Sequence, residues 1–186
     1  MFKTLKKILI FLTITSLFYS NAHTNENLIE ELKAGSKIIF IRHALAPGSG
    51  DPINFMLNDC STQRNLNFEG INQSKKIGLF FSKNDIPIDH VLSSQWCRCK
   101  DTAKYAFENF TTFNALNSFF SEKFQKNKDQ QMIDLRKYLK NWKGKKNLVL
   151  VTHYVVILQA LNKSVSSGEI VITDKNLNII GSISEY

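Results

Sequence analysis

Arg42-His43, Arg98 and His153 are the residues of this chain whose types and positions point to chemistry. A neutral imidazole is a usable nucleophile toward phosphorus near neutral pH. Two guanidiniums present forked donors that match phosphate oxygens and keep their charge. A second imidazole, when protonated, adds a donor and a charge where the transition state gains negative character. Such a set could handle a phosphoryl group without a metal. Taken singly, each residue has a plainer explanation. A histidine at a strand end is ordinarily a hydrogen-bonded polar residue, and an isolated Arg98 would be half of a surface ion pair. Only the joint pattern carries the reading, and His23 and His90 fall outside it.

The elements that must position these residues are short apolar runs. Ile38-Ile39-Phe40-Ile41 is unbroken and ends on Arg42-His43, the pattern of a strand buried on both faces. The loop after it, residues 44–50, holds a proline and two glycines, where open α/β sheets place their ligands. Leu148-Val-Leu-Val-Thr152-His153 repeats the pattern late in the chain. A further strand over 90–94 runs into Gln95–Ala103, which opens a helix to about residue 109. Helices are also expected over 25–32, from an Asn67 cap to about 82, over 129–142 and over 155–161. Residues 167–173 and 177–183 read as a hairpin around Asp174-Lys-Asn176. Between them, 51–66 is a long connection without regular structure, a feature often tied to function. The alternation predicts a three-layer α/β/α sandwich with a mostly parallel central sheet.

At 186 residues the chain fits one well-filled domain. The formal charge is +8, but three of the 24 basic residues lie in the first seven positions. The remaining balance implies attraction to anions. No Lys/Arg stripe with interleaved aromatics appears, so nucleic acid is not an expected partner. Lys3, Lys6 and Lys7, the apolar run 8–19 and Ser20-Asn-Ala22 read as a signal peptide, residues 1–22, ahead of a single domain over 23–186. The expected location is periplasmic or secreted, with no membrane span once the signal is removed. An uncleaved anchor is the alternative. Three cysteines allow one disulfide, Cys60 with Cys97 or Cys99, or three buried thiols. Four-ligand metal spacing is missing, and no metal or other cofactor is expected.

Taken together the motifs resemble the histidine phosphatase superfamily, the phosphoglycerate-mutase-like fold. They are Ile-Arg42-His43-Ala44, Leu66-x-x-x-Gly70-x-x-Gln73, Ser93-Ser94-x-x-x-Arg98-x-x-x-Thr102-Ala103 and Val151-Thr152-His153. They span most of the chain after the signal, from Lys37 to about Leu161. The resemblance implies a phosphohistidine mechanism with His43 as nucleophile and Arg42, Arg98 and His153 as the phosphate pocket.

Departures from the family pattern bear on the proton donor. The usual glycine after Arg-His is Ala44. The usual Ser-His-Gly is Thr152-His153-Tyr154, which puts a ring near the substrate. The family glutamate downstream of the second arginine is replaced by Leu116-Asn117-Ser118, and the aspartate that another branch carries after its second histidine is Tyr154. Asp51, Asp59, Glu122 and Glu169 are then donor candidates, Asp51 first because it follows the nucleophile loop. Arg64 is either a contact to a second anionic group or a loop arginine in water. The expected function is an exported, metal-independent phosphomonoesterase acting on a small phosphorylated substrate. A phosphomutase and a silent binder of phosphorylated envelope molecules are the alternatives.

Overall fold

The computed structural model describes residues 26–186, so the predicted signal segment lies outside the described residues. Ile38, Ile39, Phe40 and Ile41 are all fully buried in β1 (Ile38–Arg42). That burial follows from the position of the strand, which pairs in parallel with β4 (Asn147–Thr152) and antiparallel with β5 (Ile170–Thr173). β4 pairs in parallel with β2 (Ile88–Ser93), and β2 with the two-residue β3 (Thr111–Thr112). β6 (Ile179–Ile183) closes the other edge antiparallel to β5, giving the order β3-β2-β4-β1-β5-β6.

Successive β1 side chains point to opposite faces and meet helices on both. Ile39 and Ile41 pack with α1 (residues 26–33), α2 (Phe68–Lys83) and α3 (Cys97–Phe107). Ile38 and Phe40 pack with α5 (Lys128–Asn141) and α6 (Tyr154–Leu161). Each such side chain contributes about 1.5–3 kcal/mol of burial. The predicted three-layer sandwich is the observed architecture.

The hairpin strands are shorter than the sequence pattern predicts. Ahead of β5, Ser166 N–H donates to Glu169 Oε2 and Glu169 N–H returns to the Ser166 carbonyl, a turn in place of a strand. Ahead of β6, Asp174 Oδ1 accepts from the backbone N–H groups of Asn176 and Asn178. The short elements β3, α4 (Glu122–Gln125) and the 3₁₀ turns Cys60–Thr62 and Asn114–Leu116 carry no periodic signal. Cys60 pairs with Cys97, closing the 51–66 loop onto the start of α3, and Cys99 is a buried free thiol. No helix of the described residues is long and apolar enough to cross a membrane.

Candidate active site

Parallel pairing puts Arg42 opposite Thr152, so the chain leaves β1 and β4 side by side. His43 N–H donates to the Thr152 carbonyl at 2.9 Å. The His43 and His153 rings then face each other edge to face, centroids 5.5 Å apart, with only 2% and 3% exposure.

His43 Nδ1 lies 2.8 Å from the Ala44 carbonyl oxygen, an atom that can only accept. The proton therefore sits on Nδ1, and Nε2 keeps its lone pair. Burial pushes the His43 pKa well below the ordinary imidazole value, and the Arg98 guanidinium pushes it the same way; the Ala44 carbonyl opposes. His153 is lowered well below that value too, first by burial, then by Arg98 and His43. Both rings are neutral at neutral pH, so His153 enters the site as an uncharged group.

The backbone after His43 is gripped from two helices. Ala44 N–H donates to Thr102 Oγ1 at 3.0 Å, and that hydroxyl donates to the Arg98 carbonyl at 2.7 Å. Leu45 N–H donates to Gln73 Oε1 at 2.9 Å, while Gln73 Nε2 reaches the Ser167 carbonyl. Asn67 caps α2 by accepting from Gly70 N–H. A Cβ on Gly70 would fall 2.0 Å from the Leu45 carbonyl oxygen, which is why this turn needs glycine. These contacts give the Leu66-to-Gln73 and Arg98-to-Thr102 spacings their purpose: they hold the loop that follows His43.

Three arginines reach one pocket with both histidines. Arg42 donates through Nη1 to the Val165 carbonyl at 2.9 Å and lies over the Tyr154 ring, 5.6 Å from its centroid. Arg98, 3% exposed in the first turn of α3, forks onto Asp51. The Nε–H groups of Arg42 and Arg98 are both buried with no hydrogen-bond partner among the described residues. Leaving such a donor unpaired costs about 1–3 kcal/mol, and both belong to arginines that line the pocket. Arg64 is no solvated loop residue. It donates to the carbonyls of Gly50 and Ala46 and lines the same pocket.

Asp51 reaches the site in a role other than the one expected. Its carboxylate accepts from both Arg98 Nη groups, from Trp96 Nε1 at 2.9 Å and from Arg64 N–H. Although burial raises its pKa, these hydrogen bonds and the Arg98 charge prevail and hold it below the ordinary carboxyl range. A carboxylate that stays ionised and fully engaged orients Arg98; it is a poor proton donor. The other donor candidates lie off the pocket. Asp59 caps the 3₁₀ turn through Ser61, Glu169 pairs with Lys163 at 3.3 Å, and Glu122 is exposed at the start of α4. Tyr154 does line the pocket, as its place after His153 predicts.

Sequence reading missed what holds His153. Asn117 Oδ1 accepts from Gln95 N–H at 2.9 Å, which fixes the orientation of the amide, and from the Ser94 hydroxyl at 3.1 Å. With its proton given to Asn117, Ser94 Oγ accepts from His153 Nε2–H at 2.8 Å. His153 Nδ1 is left as a lone pair facing Arg98 Nη2 at 3.5 Å. The only sequence signal was the position of Asn117, where the family glutamate was expected. Among the described residues no group of three or more His, Cys, Asp or Glu is placed to hold a metal ion.

No protein-family model matches the sequence, and no curated protein does. Solved structures match in fold. The protein histidine phosphatase SixA, solved with tungstate, aligns with a TM-score of 0.54 at 12% identity, over 80% of this chain and 96% of that one. TTHB049 of Thermus thermophilus aligns at 0.55 and 17% identity, over 81% and 99%. A protein of Agrobacterium tumefaciens assigned as a phosphohistidine phosphatase SixA gives the same values. The chain has the histidine phosphatase fold.

Proposed function

We propose that this protein is an exported phosphomonoesterase that works without a metal, through a phosphohistidine on His43. The observation that carries the reading is the uncharged His43 Nε2 in one pocket with the Arg42, Arg64 and Arg98 guanidiniums. His43 attacks phosphorus, and water then hydrolyses the phosphoenzyme. Arg42 and Arg98 hold the nonbridging oxygens, Arg64 adds positive potential, and Tyr154 shapes the entrance. Tungstate in the SixA structure is a tetrahedral oxyanion, and it supports a phosphate-sized anion site in this fold. The Cys60–Cys97 bridge supports an oxidising compartment, in keeping with the N-terminal signal.

The test is phosphate release from 4-nitrophenyl phosphate in excess EDTA, with His43→Ala alongside. Release that survives EDTA and disappears in the variant, with an acid-labile phosphate on the native protein, supports the mechanism. Binding of inorganic phosphate with no release from any ester overturns it in favour of a silent binder. Transfer of the phosphoryl group to an alcohol acceptor in place of water would make it a mutase.

A further inference from the structure

The pocket is unusual in where its protons are. Residues 1–25 contain no Asp or Glu, and among the carboxylate side chains of the described residues only Asp51 lines the pocket. Its oxygens are taken by Arg98, Trp96 and Arg64. The His43 proton is committed to the Ala44 carbonyl, and the His153 proton to Ser94, behind which stands Asn117. Tyr154 shares its hydroxyl hydrogen bond with Ser164 at 3.1 Å, on an exposed path. Among the described residues no acid is aimed at a leaving group.

Part of the pocket lining is aromatic. Phe124 stands edge-on to Trp96 at 5.3 Å and to Phe55 at 5.6 Å, and Phe55 stacks on Trp96 at 5.1 Å, spacings at which rings attract. This rigid cluster presents Phe124 to the pocket. Beside it Phe120 lines the mouth with 58% of its surface exposed, an apolar ring that no described residue covers.

We propose that the substrates are phosphate monoesters of aromatic hydroxyls, bound with the ring against Phe120 and Phe124 and released as a phenolate that takes no proton from the protein. This rests on the phosphatase reading above and names its substrate class. In the first step the His43 Nε2 lone pair forms a P–N bond while the P–O bond breaks, its electron pair passing to the ring oxygen. Water then attacks phosphorus and the P–N pair returns to His43. One proton of that water stays on the product hydrogen phosphate, and the other neutralises the phenolate in solvent. An alkyl alkoxide is too basic to leave this way, and a general acid is ordinarily worth about 10²–10⁴-fold.

The test compares phenyl phosphate with benzyl phosphate, which keeps the ring but leaves from an alkyl oxygen. Phenyl phosphate is expected to turn over faster by roughly 10²-fold or more, with benzyl phosphate acting as a competitive inhibitor. Phe120→Ser is expected to raise KM for phenyl phosphate while leaving the affinity for inorganic phosphate unchanged. Turnover of benzyl phosphate within tenfold of phenyl phosphate overturns the proposal, and its loss in Glu122→Gln would then identify the acid. An unchanged KM in Phe120→Ser overturns the ring site. Failure of the phosphatase reading is distinct: neither ester, nor 4-nitrophenyl phosphate, would leave phosphate on His43.

Discussion

Asp51 and Arg98, one in the loop after β1 and the other in the first turn of α3, meet as a two-pronged ion pair, Nη1–Oδ1 2.6 Å and Nη2–Oδ2 3.2 Å. The pair is nearly closed to water, with side-chain exposures of 3% for Arg98 and 16% for Asp51. It joins the loop that follows His43 to the helix that carries Arg98. Asp51 thereby sets the direction of Arg98 and moderates the positive charge of the pocket in the absence of ligand.

Removing the carboxylate strands a buried guanidinium. Asp51→Ala is expected to lose roughly 3–5 kcal/mol of stability, the usual cost of leaving one member of a buried pair unpaired. Phosphate would then serve as the replacement partner, so it should stabilise the variant more than it stabilises the native protein. Urea unfolding of both proteins with and without phosphate measures this. Equal phosphate stabilisation in the two would mean that Asp51 does not govern Arg98.

The two buried histidines give the protein a pH signature of known sign. A histidine whose folded pKa is depressed binds its proton more tightly when unfolded, so stability is fully present above the ordinary imidazole value of about 6.5 and is lost as pH falls below it. Asp51, also depressed, acts in the same direction but only near and below the carboxyl range, about 4. The melting temperature is therefore expected to hold from pH 7.5 to 6.5 and to fall toward pH 5. The fall should shrink in His43→Gln and His153→Gln, each of which removes one of the two groups. Phosphoryl transfer to His43 should begin to fall off at a lower pH than the ordinary imidazole value of about 6.5 would dictate. Stopped-flow burst rate constants measured from pH 7.5 to pH 5 decide it.

The strands that carry the site were legible because burial on both faces forces continuous apolar runs, as in Ile38–Ile41 and Leu148–Val151. Gly70, Gln73 and Thr102 were legible as spacing, though only the structure gives the reason, their grip on Ala44 and Leu45. Charge state was not legible. Asp51 reads as a free acid until Arg98, Trp96 and Arg64 are seen to converge on it from distant sequence. The Asn117–Ser94–His153 chain was hidden for the same reason, since each residue is individually ordinary and Asn117 stands in a stretch without period. α4 and β3 are too short to show one.

The cysteines make a prediction that needs no substrate. Cys99 is buried against His153, and burial pushes its thiol up to about 12, so it stays protonated and covered in the folded protein. Thiol titration is expected to find no reactive group in the native protein, one after unfolding, and three after unfolding with reduction. Cys60 and Cys97 are 37 positions apart, a closure worth about 4 kcal/mol on the chain-entropy scale. Cys60→Ser should lower stability toward that amount. It should also raise KM, because the loop it frees carries Asp51 and Arg64. A native KM in that variant would show that the loop is held by its hydrogen bonds alone.

Gly70→Ala sets two effects against each other. On helix propensity alone, alanine gains roughly 1 kcal/mol over glycine in a helix interior. Against that, the new Cβ meets the Leu45 carbonyl oxygen at 2.0 Å and its carbon at 2.9 Å, atoms of backbone that no side-chain rotation can clear. Leu45 cannot shift alone, since its N–H is tied to Gln73 and its neighbour Ala44 to Thr102, and Ala44 also carries the carbonyl that fixes the His43 tautomer. The collision wins, and the displacement reaches His43. Gly70→Ala should lower both stability and kcat, the latter by tenfold or more, about 1.4 kcal/mol of barrier. Gly78→Ala is the control. There the Cβ meets the Ala106 carbonyl oxygen at 2.3 Å, where α2 crosses α3, so stability should fall while kcat of the folded protein is kept. Equal kcat losses in the two variants would mean that general loosening of α2, and not the Leu45 contact, is what reaches His43.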